Sequence, residues 1–298
     1  VIGCGIVGAN VAYLLSQHKL RAAVFEKEND VSMGTTRANS AIVHAGYDPE
    51  PGTAMARLNV RGSALTKEQC AAFDVKYRQI GSLVLAFSDE EMATVRRLYE
   101  NGVANGVPGV RVLTREETLA MEPNLSDAVC GALYAPSAAI VEPWDLALAL
   151  AEAAVENGVE LHLETAVTGA EKISGGWRLH TAKGDFEARA VVNAAGVEAD
   201  LVAAMAGEPG FTTIPSRGEY YLLDKSQGYV VNHVVFQCPN RDGKGVLVSP
   251  TVHYNLIVGP NAEPSGREDV STQADALAFV REKAVKSVPG VNFRENIR

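Results

Sequence analysis

Val1-Ile2-Gly3-Cys4-Gly5-Ile6-Val7-Gly8 runs a short apolar stretch directly into the glycine pattern G-x-G-x-x-G. A β-strand ending at Gly3 must turn sharply there. Gly5 has no side chain, so a phosphate-bearing ligand can reach the backbone where the next helix presents its unpaired N–H groups and the positive end of its dipole. Gly8 lets that helix lie close to the strand. In a chain with 27 glycines the spacing alone says little, since strand-turn-helix units that bind nothing also produce it. The context decides. A helix-forming segment, Ala9 to Gln17, is followed by the strand Arg21-Ala22-Ala23-Val24-Phe25-Glu26, which ends in a carboxylate. An acidic residue about 20 positions beyond the glycines is what a pair of ribose hydroxyls requires. The competing reading is a plain βαβ unit with a solvated Glu26; the combined pattern favours a dinucleotide fold.

The totals frame this reading. At about 150 residues per domain, 298 residues accommodate two domains with sizeable cores. With 47% hydrophobic residues, 21% charged residues and a formal net charge of −9, the chain is globular and unsuited to holding a nucleic acid across its surface. Cys4, Cys70, Cys130 and Cys238 are widely separated and form no C-x-x-C, so they suggest neither a metal site nor a disulfide framework, and a reduced, cytoplasmic setting is expected. No apolar run approaches the roughly 20 residues that span a bilayer, and any membrane association is expected to be peripheral, at the inner face. The chain opens inside a strand, which suggests a fragment of a longer protein.

Past Glu26 and Lys27, the loop Val31 to Asn39 is rich in Ser, Thr, Gly and Asn and leads into Ser40-Ala41-Ile42-Val43-His44-Ala45-Gly46-Tyr47-Asp48-Pro49. Thr35, Thr36 and Ser40 can hydrogen-bond a buried pyrophosphate or a flat ring without bulk; they equally serve as turn formers and caps. His44 stands at an irregular point just past this loop, a position that suits a base better than a core histidine. A helix at Leu65 to Val75, a strand at Gly81 to Phe87, a helix from Ser88 to Asn101 and a capped short helix closed by Pro123 interrupt the doubly wound pattern. A helix from Glu142 to Asn157 and a strand at Val159 to Leu163 resume it. Three strands between Thr165 and Arg189 then read as an antiparallel meander, followed by Ala190-Val191-Val192-Asn193-Ala194-Ala195-Gly196 as an unbroken buried strand. A nicotinamide-type fold would continue with βα repeats, whereas a meander followed by a small-residue turn points to an FAD-binding domain of the glutathione-reductase type. From Ile214 the chain is strand-rich and reads as an antiparallel sheet, with a last helix at Ala274 to Lys286. The expected fold is therefore α/β, a Rossmann-type FAD-binding domain over 1–75 and 140–212 and an α+β substrate domain over 76–139 and 213–298.

Four stretches carry a resemblance: Gly3 to Gly8 with Glu26-Lys27; Ala38-Asn39-Ser40-Ala41-Ile42-Val43-His44-Ala45-Gly46; Arg217-Gly218-Glu219-Tyr220; and Gly243-Lys244-Gly245-Val246-Leu247-Val248-Ser249-Pro250 with Leu256-Ile257-Val258-Gly259-Pro260. With these the chain resembles the glycine/D-amino-acid-oxidase superfamily of FAD-dependent oxidoreductases, and within it the bacterial glycerol-3-phosphate oxidase/dehydrogenase branch. The resemblance implies FAD with its ADP half on Gly3, Gly5, Gly8 and Glu26, Val167 beside adenine and Gly196 closing the pocket; Lys27, Thr35, Thr36, Asn39 and Ser40 are counted with them as cofactor-binding candidates. It implies His44 as the base for the substrate hydroxyl while hydride passes to flavin N5, Lys244 against the substrate phosphate, and no metal. Without the resemblance, Lys244 reads equally as a solvated turn lysine. The family's further substrate-binding arginine and last glycine-rich flavin segment have no counterpart before the final residue, so the dinucleotide fold is expected to be incomplete at its C-terminal end. The implied activity is oxidation of sn-glycerol 3-phosphate to dihydroxyacetone phosphate, with oxygen, a quinone or an iron–sulfur protein as electron acceptor. The alternatives are an L-2-hydroxyglutarate dehydrogenase of the same superfamily and a non-catalytic flavin-binding subunit.

Overall fold

The computed structural model describes residues 1–208, 210–239 and 245–297. The chain forms two compact units: 1–39, 142–215 and 266–268 make the first, and 40–141, 216–265 and 269–298 the second. Residues 40–75, grouped by sequence with the dinucleotide half, cluster in the second unit.

In the first unit Ile2 makes parallel bridges to Phe25 on one side and Asn193 on the other, and the Ala23–Phe25 strand pairs in parallel with Glu160–His162. Helix Ile6–Ser16 follows the glycine turn and packs on helix Pro143–Glu156. Small residues make that contact close: Gly8, Ala9 and Ala12 are buried on one helix, Ala147, Ala151 and Ala154 on the other. A Cβ placed on Gly8 would sit 1.9 Å from the carbonyl oxygen of Gly3, so only glycine lets the helix approach its strand this closely. The second helix starts with Pro143 in its first turn, and it ends with Gly158 N–H donating to Val155 O and Val159 N–H to Ala154 O. These paired bonds form the Schellman motif, made possible by Gly158 at φ +91°.

The meander is present as the antiparallel strands Val167–Ile173, Gly176–Thr181 and Gly184–Ala188, and its Leu179 joins Ile2, Phe25 and Val202 in the core. The segment after it departs from expectation. Instead of an unbroken buried strand, 190–196 contributes a single bridge, with Ile2 N–H donating to Val192 O and Ala194 N–H to Ile2 O, each at 2.9 Å. No strand pairs with its outer edge among the described residues, so Val192 and Asn193 keep contact with solvent. Farther on, the Arg267 guanidinium donates to Asp200 Oδ2 at 2.7 Å, and Thr213 N–H donates to the same oxygen at 2.9 Å, which ties 266–268 into this unit.

The second unit is built on a seven-stranded sheet in the order Tyr221–Leu223, Leu256–Gly259, Leu247–Pro250, Val234–Gln237, Ser82–Ala86, Gly131–Ala135, Arg111–Thr114. Neighbours are antiparallel except Val234–Gln237 with Ser82–Ala86, which run parallel. The Ser82–Ala86 strand is buried at every position. Leu83 and Leu85 face a core closed by Val280 and Ala284 of helix Ala274–Ser287, while Val84 and Ala86 face Val95 and Leu98 of helix Asp89–Ala104. Ser88 Oγ caps the latter helix by accepting from Glu91 N–H. A three-stranded sheet places Ala139–Val141 between Ile42–Val43 and Tyr77–Arg78. Helix Ala54–Ala72 begins well before the expected Leu65, at Thr53, whose hydroxyl accepts from Ala56 N–H.

Two outcomes follow for stability. Gly8→Ala forces the first helix off its strand and should cost about 3 kcal/mol in chemical denaturation, whereas Gly62→Ala, in a helix interior with open space around it, should add about 0.5–1 kcal/mol. The Arg267 hydrogen bond, with that from Thr213 N–H, holds the Asp200 carboxyl down at about 2. A folded-state value below the unfolded value of about 3.9 contributes stability above that value and loses it as pH falls toward 2. The difference in denaturation midpoint between the wild type and Asp200→Asn should therefore be widest near neutral pH and close between about pH 4 and pH 2.

Candidate functional site

The glycine turn of the first unit is closed by side chains that reach back to it. Gly3 has φ +94°, and a Cβ there would lie 2.6 Å from Ala194 O. Gly5 is the helix N-cap, and a Cβ on it would meet Thr36 Oγ1 at 3.0 Å. That same hydroxyl oxygen accepts from Ile6 N–H at 3.0 Å, so the loop after the second strand caps the first helix. Cys4 N–H donates to Glu26 Oε2 at 2.7 Å and Glu28 N–H donates to Glu26 Oε1 at 3.0 Å. Glu26 is only 8% exposed, so its carboxylate is built into the turn rather than hanging in solvent. Each carboxylate oxygen has a second lone pair and can still accept from a hydroxyl. Burial, reinforced by Glu26 and Asp30, pushes the Cys4 thiol up to about 12, so it stays protonated and unreactive at neutral pH.

The other residues singled out in this half fall around that turn. Thr35 and Thr36 lie in the 3-10 turn Thr35–Arg37, which Asn39 Nδ2 closes by donating to Thr35 O at 3.0 Å and Thr36 O at 2.8 Å. Lys27 Nζ donates to Glu198 Oε1 at 2.8 Å, and this bond raises the lysine's pKa. Glu198 ends the turn that starts at Gly196, where φ is +57° and the space a Cβ would fill is open. Val167 opens the meander and packs against the Ile2, Phe25 and Leu179 core. Gly3, Gly5, Gly8, Glu26 and Thr36 thus form one cluster, and Lys27 with Gly196 borders the turn at Glu198.

In the second unit, Ser40 Oγ and Tyr220 Oη are 2.6 Å apart. Ala41 follows with φ +57°, and its carbonyl accepts from Val141 N–H at 3.0 Å. Ile42 and Val43 then pair with Ile140 and Ala139. His44 emerges at the end of this short strand, exposed, with its ring stacked on Phe236 at a centroid distance of 5.7 Å and an interplanar angle of 25°. Ala45 and Tyr47 beyond it are buried on the Val84 face of the sheet. Lys244 lies outside the described residues. Sequence reasoning missed Tyr220 and Phe236. The Arg217-Gly218-Glu219-Tyr220 stretch stood out as a motif but with no role attached to its members. All four cysteines are free thiols, and no helix among the described residues is long and apolar enough to cross a membrane.

The family model for DAO, FAD dependent oxidoreductase, matches residues 1–298. The chain is 47% identical over 289 residues to a glycerol 3-phosphate dehydrogenase of Caloramator mitchellensis, covering 97% of this chain and 60% of that protein. It is 32% identical over 268 residues to the L-2-hydroxyglutarate dehydrogenase of Escherichia coli (strain K12), covering 88% of this chain and 63% of that one. Among solved structures, a dithionite-reduced L-alpha-glycerophosphate oxidase from Mycoplasma pneumoniae with FAD bound superposes with a TM-score of 0.93 at 29% identity, over 100% of this chain and 80% of that one. The chain therefore spans about 60% of the length of its Caloramator relative. It belongs to the DAO family of FAD-dependent oxidoreductases.

Proposed function

We propose that the protein oxidises sn-glycerol 3-phosphate to dihydroxyacetone phosphate with FAD as its cofactor. The observation that carries this reading is the 47% identity, across 97% of the chain, to a protein named glycerol 3-phosphate dehydrogenase. The lower identity of 32% to an L-2-hydroxyglutarate dehydrogenase makes a hydroxy diacid the second candidate substrate.

The residues present suit the cofactor. Gly3 and Gly5 carry no side chain where the chain turns into the first helix, and the space beside Gly196 is open, as a pyrophosphate approaching helix N–H groups needs. In this reading Glu26 accepts from the adenosine ribose, Val167 lies along the adenine, and Thr35, Thr36, Asn39 and Ser40 border the pyrophosphate and flavin. Lys27, held by Glu198, fixes the Gly196 turn. The first unit is then the FAD-binding half and the second the substrate-binding half.

Bound FAD supplies the hydride acceptor. The protein's part is to bind, orient and take a proton. His44, exposed at the end of its strand and braced by Phe236, accepts the proton of the substrate hydroxyl as hydride leaves the carbon that bears it. An imidazole titrates near neutral pH and does this without a strong base. Lys244 provides the cation for the phosphate dianion. We place the protein in the cytoplasm, with peripheral contact at the inner membrane face as the route to a membrane-borne acceptor such as a quinone.

Anaerobic mixing of the FAD-loaded protein with each substrate tests this reading. Glycerol 3-phosphate should bleach the flavin absorbance and L-2-hydroxyglutarate should not; the reverse result transfers the assignment to the diacid, and bleaching by neither removes the catalytic reading. His44→Ala should retain FAD and slow reduction about 10²–10⁴-fold, and an unchanged rate takes His44 out of the mechanism.

A further inference from the structure

Tyr220 lies in neither the glycine turn nor the strand that carries His44, yet its hydroxyl meets Ser40 Oγ at 2.6 Å across 180 residues of sequence. Its own position is closely determined. The preceding residue, Glu219, is buried; its N–H donates to Asn261 Oδ1 at 2.7 Å, and its carboxylate accepts from Arg217 Nε at 3.0 Å and from Gln273 N–H at 2.7 Å. Gly259, at φ +142°, lies so near that a Cβ there would come within 2.6 Å of Glu219 O and 2.8 Å of Tyr220 Cδ1. The phenol therefore stands on a rigid base at the head of the Tyr221–Leu223 strand. Burial raises its pKa, so it stays a neutral O–H donor.

On the other side of the bond, Ser40 begins a segment with few conformations open to it. Ala41 occupies the left-handed region, which an alanine adopts only when its neighbours hold it there. Ile42 and Val43 are paired into the three-stranded sheet, and His44 comes next. A serine hydroxyl has one donor and two acceptor positions. When the phenol donates to Ser40 Oγ, the serine keeps its own proton for another acceptor.

We propose that Tyr220 is a positioning residue: its phenol donates to Ser40, leaves the Ser40 O–H to donate to the flavin when it is bound, and holds the segment that leads to His44. This inference rests on the flavoenzyme reading above. A donor aimed at an acceptor that gains negative charge on reduction stabilises the reduced form, so the pair should raise the flavin's reduction potential.

The test is a double-mutant cycle on the FAD-loaded protein with Tyr220→Phe, which keeps the ring against Gly259, and Ser40→Ala. Potentials are measured against a reference dye during dithionite reduction, so they do not depend on which substrate the enzyme uses. Both single variants should lower the potential, and the double variant should lie no lower than Ser40→Ala alone. Flavin reduction by substrate should slow about tenfold in Tyr220→Phe, with KM within about twofold of the wild type. A Tyr220→Phe variant with wild-type potential, even one that melts earlier, overturns the proposal, as do additive shifts or an unshifted Ser40→Ala. Should a variant fail to hold FAD, the cycle is read on thermal midpoints of the flavin-free proteins, where coupling between positions 40 and 220 is required and additivity overturns it. A protein that glycerol 3-phosphate does not reduce but whose potentials shift as a coupled pair loses the substrate reading and keeps this one.

Discussion

The contact between the backbone of Gly8 and the carbonyl of Gly3 sets the geometry of the first unit. Because a Cβ at Gly8 would overlap that oxygen at 1.9 Å, helix and strand meet at backbone distance, and the turn between them carries one side chain, the buried Cys4. The rest of the cluster is arranged to hold this turn. Glu26 gathers the Cys4 and Glu28 amides, Thr36 takes the Ile6 amide, and the alanine faces of helices Ile6–Ser16 and Pro143–Glu156 keep the first helix pressed down. A hydrogen bond to a charged group contributes about 1.5–3 kcal/mol, so the bonds to Glu26 matter for stability as well as for shape.

The second unit is organised differently, with exposed side chains standing on a buried sheet. Ser82–Ala86 is buried on both faces, and Val234–Gln237, which carries Phe236, pairs with it. His44 stacks on that Phe236 while the residues just after it, Ala45 and Tyr47, sink into the Val84 face. The histidine is thus solvent-facing but anchored on either side, which narrows the positions its ring can take.

Features that depend on local chemistry were legible in the sequence. The glycine turn, the carboxylate at Glu26, the three-strand meander, the helix start at Ser88 and the capped short helix before Pro123 each rest on residues a few positions apart or on a fixed period. What escaped depends on distant partners. The exposure of Val192 and Asn193 is decided by whether another strand lies alongside, and an apolar run carries no record of that. The strands Gly131–Ala135 and Ala139–Val141 are too short and too close together to show a period. Gly62 broke the helical pattern of Ala54–Ala72, so the helix seemed to start at Leu65. The parallel pairing of Val234–Gln237 with Ser82–Ala86 and the Ser40–Tyr220 bond each join segments more than a hundred residues apart. At the site, the sequence marked Glu26 as a ligand for ribose but gave no sign that two backbone amides already occupy it.

The interleaving of the two units has a consequence for how the protein comes into being. The chain passes from one unit to the other at 39/40, 141/142, 215/216, 265/266 and 268/269. Ile2 emerges from the ribosome long before Asn193, its parallel neighbour, and Asp200 waits 67 residues for Arg267. The first unit therefore cannot close before residues 40–141 of the second have been synthesised. Vectorial synthesis gives it no head start: the edge of Ile2 that Val192 and Ala194 occupy stays unpaired until Asn193 has emerged, and an unpaired strand edge is where a nascent chain is open to wrong partners.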